Sequence, residues 1–474
     1  MATGSVFHGL GWVILIVAAA MMLPLVAAGG PAEPGVLRAF LVSAVITGFA
    51  GGGLVVSLRG KRRVTGPREA MLLAALSFAA VPLFAALPVY TSLAQAGVVD
   101  AWFETVSGLT TTGAPLFDAA ELAPQILLWR SLLEWLGGLG ILAVAAAILS
   151  GLGQAPLPVQ PVPEPAVQGE PSLPHLEEAF RLVAPYYAGL TALLLLAVLL
   201  TGMPFAQGLR LTLSTISTGG FGAPGGLDHS PAVLIVVMAG LAAGSFNILL
   251  HWYGVRGRFG VYGNDPETRV LLALIVSGGA VLAIAATWFG GWTPFQAVFN
   301  TVSLISTSGV LVAPEGAVPI PLPLLLVPVM IGGSALSTAG GMKAVRVGVM
   351  FRQAENELER LAFPHRVIRN RFGERRVTVG LAMAIWASFI GYGGAISLLA
   401  LAVVASGFEF GVALTAAVAA VSNAGPVLFA ADGAPASYAG FSEPIRILLG
   451  AAMIAGRLEV LLLLCLLNPA YWRI

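Results

Sequence analysis

Four stretches of small polar residues end on glycine and carry the chemistry of this chain. Thr105 to Gly113 reads TVSGLTTTG, Leu211 to Gly219 LTLSTISTG, Thr301 to Gly309 TVSLISTSG and Ala417 to Gly425 AVAAVSNAG. Aligned on the glycine they lie 106, 90 and 116 residues apart, a repeating unit. Glycine lacks a Cβ and can adopt backbone angles that turn carbonyl oxygens toward an axis. Carbonyls from four such segments can replace the hydration shell of a cation. Thr111, Thr112, Gly113, Ser217, Thr218, Gly219, Thr307, Ser308, Gly309, Ser422, Asn423, Ala424 and Gly425 are the candidate residues. A carboxylate ring, as a divalent-selective site would need, is absent from the glycine positions. Small polar residues also aid helix packing in membranes, the competing explanation for any one cluster.

The elements that position these loops follow from composition. Of 474 residues 57% are apolar and only 10% are Asp, Glu, Lys or Arg, too few for a water-facing surface. Lys+Arg 24 against Asp+Glu 23 leaves +1, so no basic field argues for nucleic acid. Ten apolar runs can cross a bilayer, at about 9–28, 36–58, 70–94, 127–150, 182–203, 231–255, 270–289, 320–350, 376–405 and 442–467. The first could be read as a signal peptide, but no basic residue precedes it. Each loop falls between the spans of a pair, preceded by a stretch too short to cross. The expectation is an all-α polytopic membrane protein with four helix, re-entrant loop, helix repeats around one pore. The divisions are 1–69 (two amino-terminal helices), 70–150 (repeat one), 151–181 (proline-rich linker), 182–269 (repeat two), 270–351 (repeat three), 352–375 (a polar linker helix) and 376–474 (repeat four). Basic residues after spans two, six and eight and before span five share one face, which the positive-inside rule makes cytoplasmic, with both termini.

Within the spans, Gly332, Gly333, Ser334, Ser337, Thr338, Gly340 and Gly341 interrupt span eight, and Lys343 closes that segment. A uniform helix there would lose propensity at every glycine. Arg457 lies inside AAMIAGRLEVLLLL, where a charge without partner or water is costly; a structural ion pair is the alternative. Glu459, two residues on, faces elsewhere on a helix. Glu104 and Asn300 can brace a loop through backbone N–H groups or serve packing alone, Glu134 recurs in the same unit, and Asn247 with His251 reads as structural. Single Cys465 excludes an intrachain disulfide.

With those residues in place, the chain resembles the Trk/Ktr/HKT superfamily of potassium transporters, most closely its bacterial TrkH-type uptake subunits. TVSGLTTTGAPLF (105–117), STISTGGFG (214–222), FNILLHWYGVRGR (246–258), GGSALSTAGGMK (332–343), RQAENELERLAFPHRV (352–367), SNAGP (422–426) and GRLEVLLLLCLLNPAYWR (456–473) carry the resemblance. It implies gated, channel-like potassium uptake across the bacterial cytoplasmic membrane without enzymatic chemistry. Potassium would be the transported ion, with no organic cofactor in this chain. The span-eight segment, including Gly340, Gly341 and Lys343, would act as gate, with Arg457 an electrostatic barrier below the filter. It further implies a homodimer in membrane lipid and a cytosolic nucleotide-binding regulatory ring subunit of the TrkA type. A less selective K+/Na+ transporter and an ion-coupled cation symporter are the alternatives.

Overall fold

The computed structural model describes residues 3–60, 67–151, 176–222, 230–312, 320–363, 371–373 and 375–459. Most of the proline-rich linker, Pro364, Cys465 and the end of the chain lie outside them. Nearly all regular structure is helical; a two-residue pairing, Arg371–Phe372 with Arg375–Arg376, is the one strand ladder among the described residues.

Two amino-terminal spans come first: α1 (Thr3–Ala20) continued by α2 (Leu23–Ala27), then α3 (Pro34–Ser57). Four units follow. The first holds α4 (Pro67–Ala85), α5 (Leu87–Ser92), α6 (Val98–Leu109) and α7 (Pro124–Gly151). The second holds α8 (Leu176–Leu200), α9 (Phe205–Ile216), α10 (Pro231–Ser245), α11 (Ile248–Val255) and α12 (Gly260–Asn264). In the third, α13 (Pro266–Phe289), α14 (Pro294–Ile305) and α15 (Leu322–Ile331) lead through a non-helical segment to α16 (Ala344–Ala362). The fourth holds α17 (Val379–Ala405), α18 (Phe410–Val421) and α19 (Glu443–Arg457).

Seven helical stretches are long and apolar enough to cross, and the bent pair α10–α11 makes an eighth. Not every one of the expected spans is a single straight helix. Span six turns by 108° between Ser245 and Ile248, where Asn247 Oδ1 accepts Leu249 N–H at 3.0 Å and starts a new helix. Span eight is broken as its glycines foretell. In span ten the helix Glu443–Arg457 ends at Arg457, and Glu459 sits at φ 61°. Large apolar side chains such as Phe49 (84% exposed) and Leu398 (72%) face outward, as a lipid-facing surface requires.

The short helices α6, α9, α14 and α18 are 12 residues each. At 1.5 Å per residue each is about 18 Å long, well short of the hydrocarbon core. Their starts are chemically defined. Thr293 Oγ1 accepts from Gln296 N–H at 3.3 Å while Gln296 Oε1 accepts from Thr293 N–H at 2.8 Å, with Pro294 at the first helical position. Thr293→Ala is expected to cost about 1 kcal/mol, read as a lower thermal midpoint in detergent. Helix α18 carries the opposite pattern, small residues all round: Ala413, Ala416, Ala417, Ala419 and Ala420 are all fully buried, so it packs at the centre of the main apolar core.

Candidate functional site

All four short helices end the same way. The cap residues Thr110, Ser217, Ser306 and Ser422 are each followed by a non-glycine residue in the left-handed region: Thr111 (φ 57°), Thr218 (55°), Thr307 (60°) and Asn423 (57°). Such angles are costly for threonine, so surrounding contacts must hold them. Each of these residues donates its N–H back to its own helix: Thr111 to Gly108 O (2.8 Å), Thr218 to Thr215 O (3.0 Å), Thr307 to Leu304 O (3.1 Å) and Asn423 to Ala420 O (3.3 Å).

This geometry corrects one register. Counting from the cap, the third residues are Gly113, Gly220, Gly309 and Gly425, so Gly219 stands level with Thr112, Ser308 and Ala424. The second loop is therefore TLSTISTGG, shifted by one from the alignment on Gly219. The signal was present: Thr105-Val106-Ser107, Thr212-Leu213-Ser214 and Thr301-Val302-Ser303 then coincide. Ser107 and Ser303 do equivalent work, Ser107 Oγ accepting from Ala114 N–H (2.6 Å) and Ser303 Oγ donating to Val310 O (2.6 Å).

The loops close a ring. A Cβ on Gly113 would lie 2.3 Å from Gly220 N, so loops one and two touch backbone to backbone. Ser308 Oγ of loop three donates to Gly219 O of loop two at 2.7 Å. Loops three and four meet where Gly309 packs on Ala424. Gly425 N–H donates to Thr112 O at 2.7 Å and Asn423 Nδ2 to Thr112 Oγ1 at 3.0 Å, joining four to one. Thr111, Thr112, Gly113, Ser217, Thr218, Gly219, Thr307, Ser308, Gly309, Asn423, Ala424 and Gly425 are all buried in this assembly.

Side chains support the ring from behind. Glu104 accepts Leu116 N–H at 3.0 Å and pairs with Arg130, which also donates to Phe117 O at 3.0 Å. Asn300 exchanges two hydrogen bonds with Val312, 2.8 and 2.9 Å. Tyr392 and Tyr438, not singled out from the sequence, hold loop four: Tyr392 Oη lies 2.6 Å from Ser422 Oγ, and Tyr438 Oη donates to Gly425 O at 2.8 Å. Both look like ordinary apolar-span or loop tyrosines in one dimension.

The non-helical segment after α15 lies against this ring. Gly332 and Gly341 (both φ 72°) and Lys343 (φ 80°) set its turns. Gly340 N–H donates to Thr307 Oγ1 (2.6 Å) and Gly341 N–H to Ser422 O (3.2 Å), both at the ends of short helices. On its other side, Ser334 N–H reaches Ser245 O (2.9 Å), and Thr338 bonds Gly244 O through N–H (3.1 Å) and hydroxyl (3.0 Å). The break in span six thus supplies the carbonyls that receive the break in span eight. Ala335 N–H ends on the Glu267 carboxyl at 2.5 Å, and Lys343 Nζ folds back on Ala339 O at 2.5 Å.

Arg457 occupies a related position. Gly137, Gly244 and Gly456 each approach the terminal carbonyl of their unit's short helix so closely that a Cβ would sit 1.8, 2.8 and 2.1 Å from Leu109, Ile216 and Val421 O. Arg457 directly follows the last of these, as Ser245 follows Gly244. It is 5% exposed, and among the described residues its Nε and one Nη have no hydrogen-bond partner. Glu459 pairs instead with Arg346 at the start of α16. Asn247 and His251 act structurally: His251 contacts Tyr262 Oη (2.8 Å) and Ala243 O (3.0 Å). Among the described residues no group of three His, Cys, Asp or Glu side chains is placed to hold a metal.

The family model for TrkH, described as a cation transport protein, matches residues 42–224 and 291–473, which take in all four loops. The chain belongs to the TrkH family. The Trk system potassium uptake protein TrkH of Halomonas elongata is 34% identical over 452 residues, covering 93% of each chain. The protein of the same name from Escherichia coli K12 is 32% identical over 86% of each. The crystal structure of the potassium transporter TrkH from Vibrio parahaemolyticus superposes with a TM-score of 0.88 at 27% identity, covering 100% of both chains. This TrkH-family chain is accordingly a polytopic membrane protein with the fold of that transporter.

Proposed function

We propose that this chain takes up potassium by passive, gated conduction through the ring of four loops. The closed cycle of loop contacts, made by backbone that is not helical at membrane depth, carries this reading, because such backbone is tolerated there only when protein or a wet cavity satisfies it. Four short helices point their carboxyl ends, with partial negative charge, toward the ring, which favours a cation. Loop carbonyls and hydroxyls from Thr111–Gly113, Ser217–Gly220, Thr307–Gly309 and Asn423–Gly425 would hold the ion as it sheds water. Gly340, Gly341 and Lys343 belong to the segment that blocks the path, and Arg457 places a positive charge beneath the ring.

The names of the curated relatives, each belonging to a Trk system, support a multi-component assembly. In it this chain would form a homodimer in the bacterial inner membrane, termini in the cytoplasm, and meet a cytosolic nucleotide-binding ring of the TrkA type.

The test is flux into liposomes holding purified protein, with potassium, rubidium and sodium compared at controlled voltage, with and without the ring subunit. Potassium and rubidium should move faster than sodium, driven by voltage alone. Uptake that stops unless a proton or sodium gradient is supplied would identify a coupled symporter and overturn the proposal.

A further inference from the structure

One buried acid contacts the ring and has no part in the account so far. Glu134 stands on α7, in the first unit, and is fully buried. Its Oε1 accepts two consecutive backbone N–H groups of the second unit's loop, Gly220 at 2.8 Å and Phe221 at 3.0 Å. The carboxyl reaches the gap between loops one and two, where a Cβ on Gly113 would lie 3.0 Å from Oε1.

The other three loops manage this position without a side chain. Gly113 and Gly309, at φ 65° and 71°, turn their N–H groups back to Ser107 O (3.3 Å) and Ser303 O (3.2 Å) of their own helices. Gly425 N–H goes to Thr112 O of the neighbouring loop at 2.7 Å. Gly220 does not share the positive φ, and its N–H goes to Glu134 instead of back to its own helix. Of the four equivalent glycines, only Gly220 has its N–H held by a side chain.

Direction follows from the peptide unit. In a planar trans peptide the N–H and the preceding C=O point opposite ways. Holding Gly220 and Phe221 N–H on Glu134 therefore turns the carbonyls of Gly219 and Gly220 away from α7. Gly219 O accordingly meets Ser308 Oγ of loop three.

We propose that Glu134 is a positioning residue for ion discrimination, fixing the carbonyl directions of loop two by accepting both N–H groups. This deepens the reading of the four loops as a cation path and rests on it. The needed property is a two-fold acceptor at that distance, which glutamine also offers. Leucine fills similar space and leaves two buried N–H groups unpaired.

The measurement is the potassium-over-sodium permeability ratio, from reversal potentials of the full-length protein in planar bilayers. Glu134→Leu should lower the ratio by about tenfold, the scale of a buried hydrogen bond lost from one side of the site, while cation current persists. Glu134→Gln should recover most of that loss. An unchanged ratio in folded Glu134→Leu protein overturns the role, as does an equal loss in both variants, which would make charge the determinant. If the leucine variant cannot be purified, Glu134→Asp carries the test, because its carboxyl is withdrawn by one methylene: a ratio below the native value supports the role and an unchanged one overturns it. Unmutated protein without preference for potassium would overturn the reading of the loops, and this role with it; a selective native protein beside an unaffected variant would overturn the role alone.

Discussion

Gly113→Ser is expected to cut the potassium-over-sodium permeability ratio by on the order of tenfold or more. Two constraints meet at this residue. Its φ of 65° is left-handed, which costs an L-residue about 1–2 kcal/mol, and the new Cβ would stand 2.3 Å from Gly220 N and 2.5 Å from Gly220 Cα. The atoms in the way are backbone, so no rotamer change relieves the contact. Loops one and two must separate, and the Gly220 N–H that ends on Glu134 must move with them. A widened ring holds carbonyls too far apart to repay the dehydration of one cation more than another. The fold should survive, since the strain falls on one contact of a ring closed at three others. Reversal potentials in mixed potassium and sodium check the selectivity, and size-exclusion behaviour checks the fold. A folded Gly113→Ser protein with the native ratio would remove Gly113 from the ion path.

Arg457→Ala should act differently, raising flux about tenfold or more while leaving the preference for potassium unchanged. A unit charge roughly 8 Å from a passing ion, at an effective dielectric near 20, opposes it by about 2 kcal/mol. Among the described residues the guanidinium is buried with two nitrogens unpartnered and no carboxylate paired with it. The nearby acid Glu459 is engaged by Arg346. Removing the charge takes away a barrier but none of the carbonyls that distinguish ions. Concentrative rubidium uptake in liposomes, driven by a set voltage, measures the first effect, and reversal potentials the second. Lower flux in a stable Arg457→Ala protein would contradict a barrier role and favour a structural one.

Much of this was legible in one dimension because the membrane leaves few choices. Runs of twenty apolar residues must be spans, and short apolar helices between them cannot cross. Hydroxyl-rich segments ending on glycine stood out where Leu and Val were expected. The register of loop two was harder to read because Gly219 and Gly220 are adjacent, and alignment on glycine cannot choose between them. The helix-borne Thr-Leu-Ser triplet at 212–214 chooses correctly, since a helix end is fixed by its cap. Hydropathy was blind to the turn in span six, because Phe246 keeps the run apolar while Asn247 starts a new helix. Glu104 and Asn300 revealed their roles by lying in the same unit as the loops they serve. Glu134 did not, for its partners are N–H groups 86 and 87 residues away in another unit.

The segment between α15 and α16 is fastened to several walls at once: to loop three at Thr307, to loop four at Ser422 and to the second unit at Gly244 and Ser245. Hydrocarbon offers no substitute for any of these bonds, so swinging the segment aside strands its amides unless water molecules arrive to take them. On the proposed gating role, displacement of the segment and wetting of the ion path form a single cooperative event. Conduction through this chain should accordingly switch on in discrete jumps rather than by gradual widening.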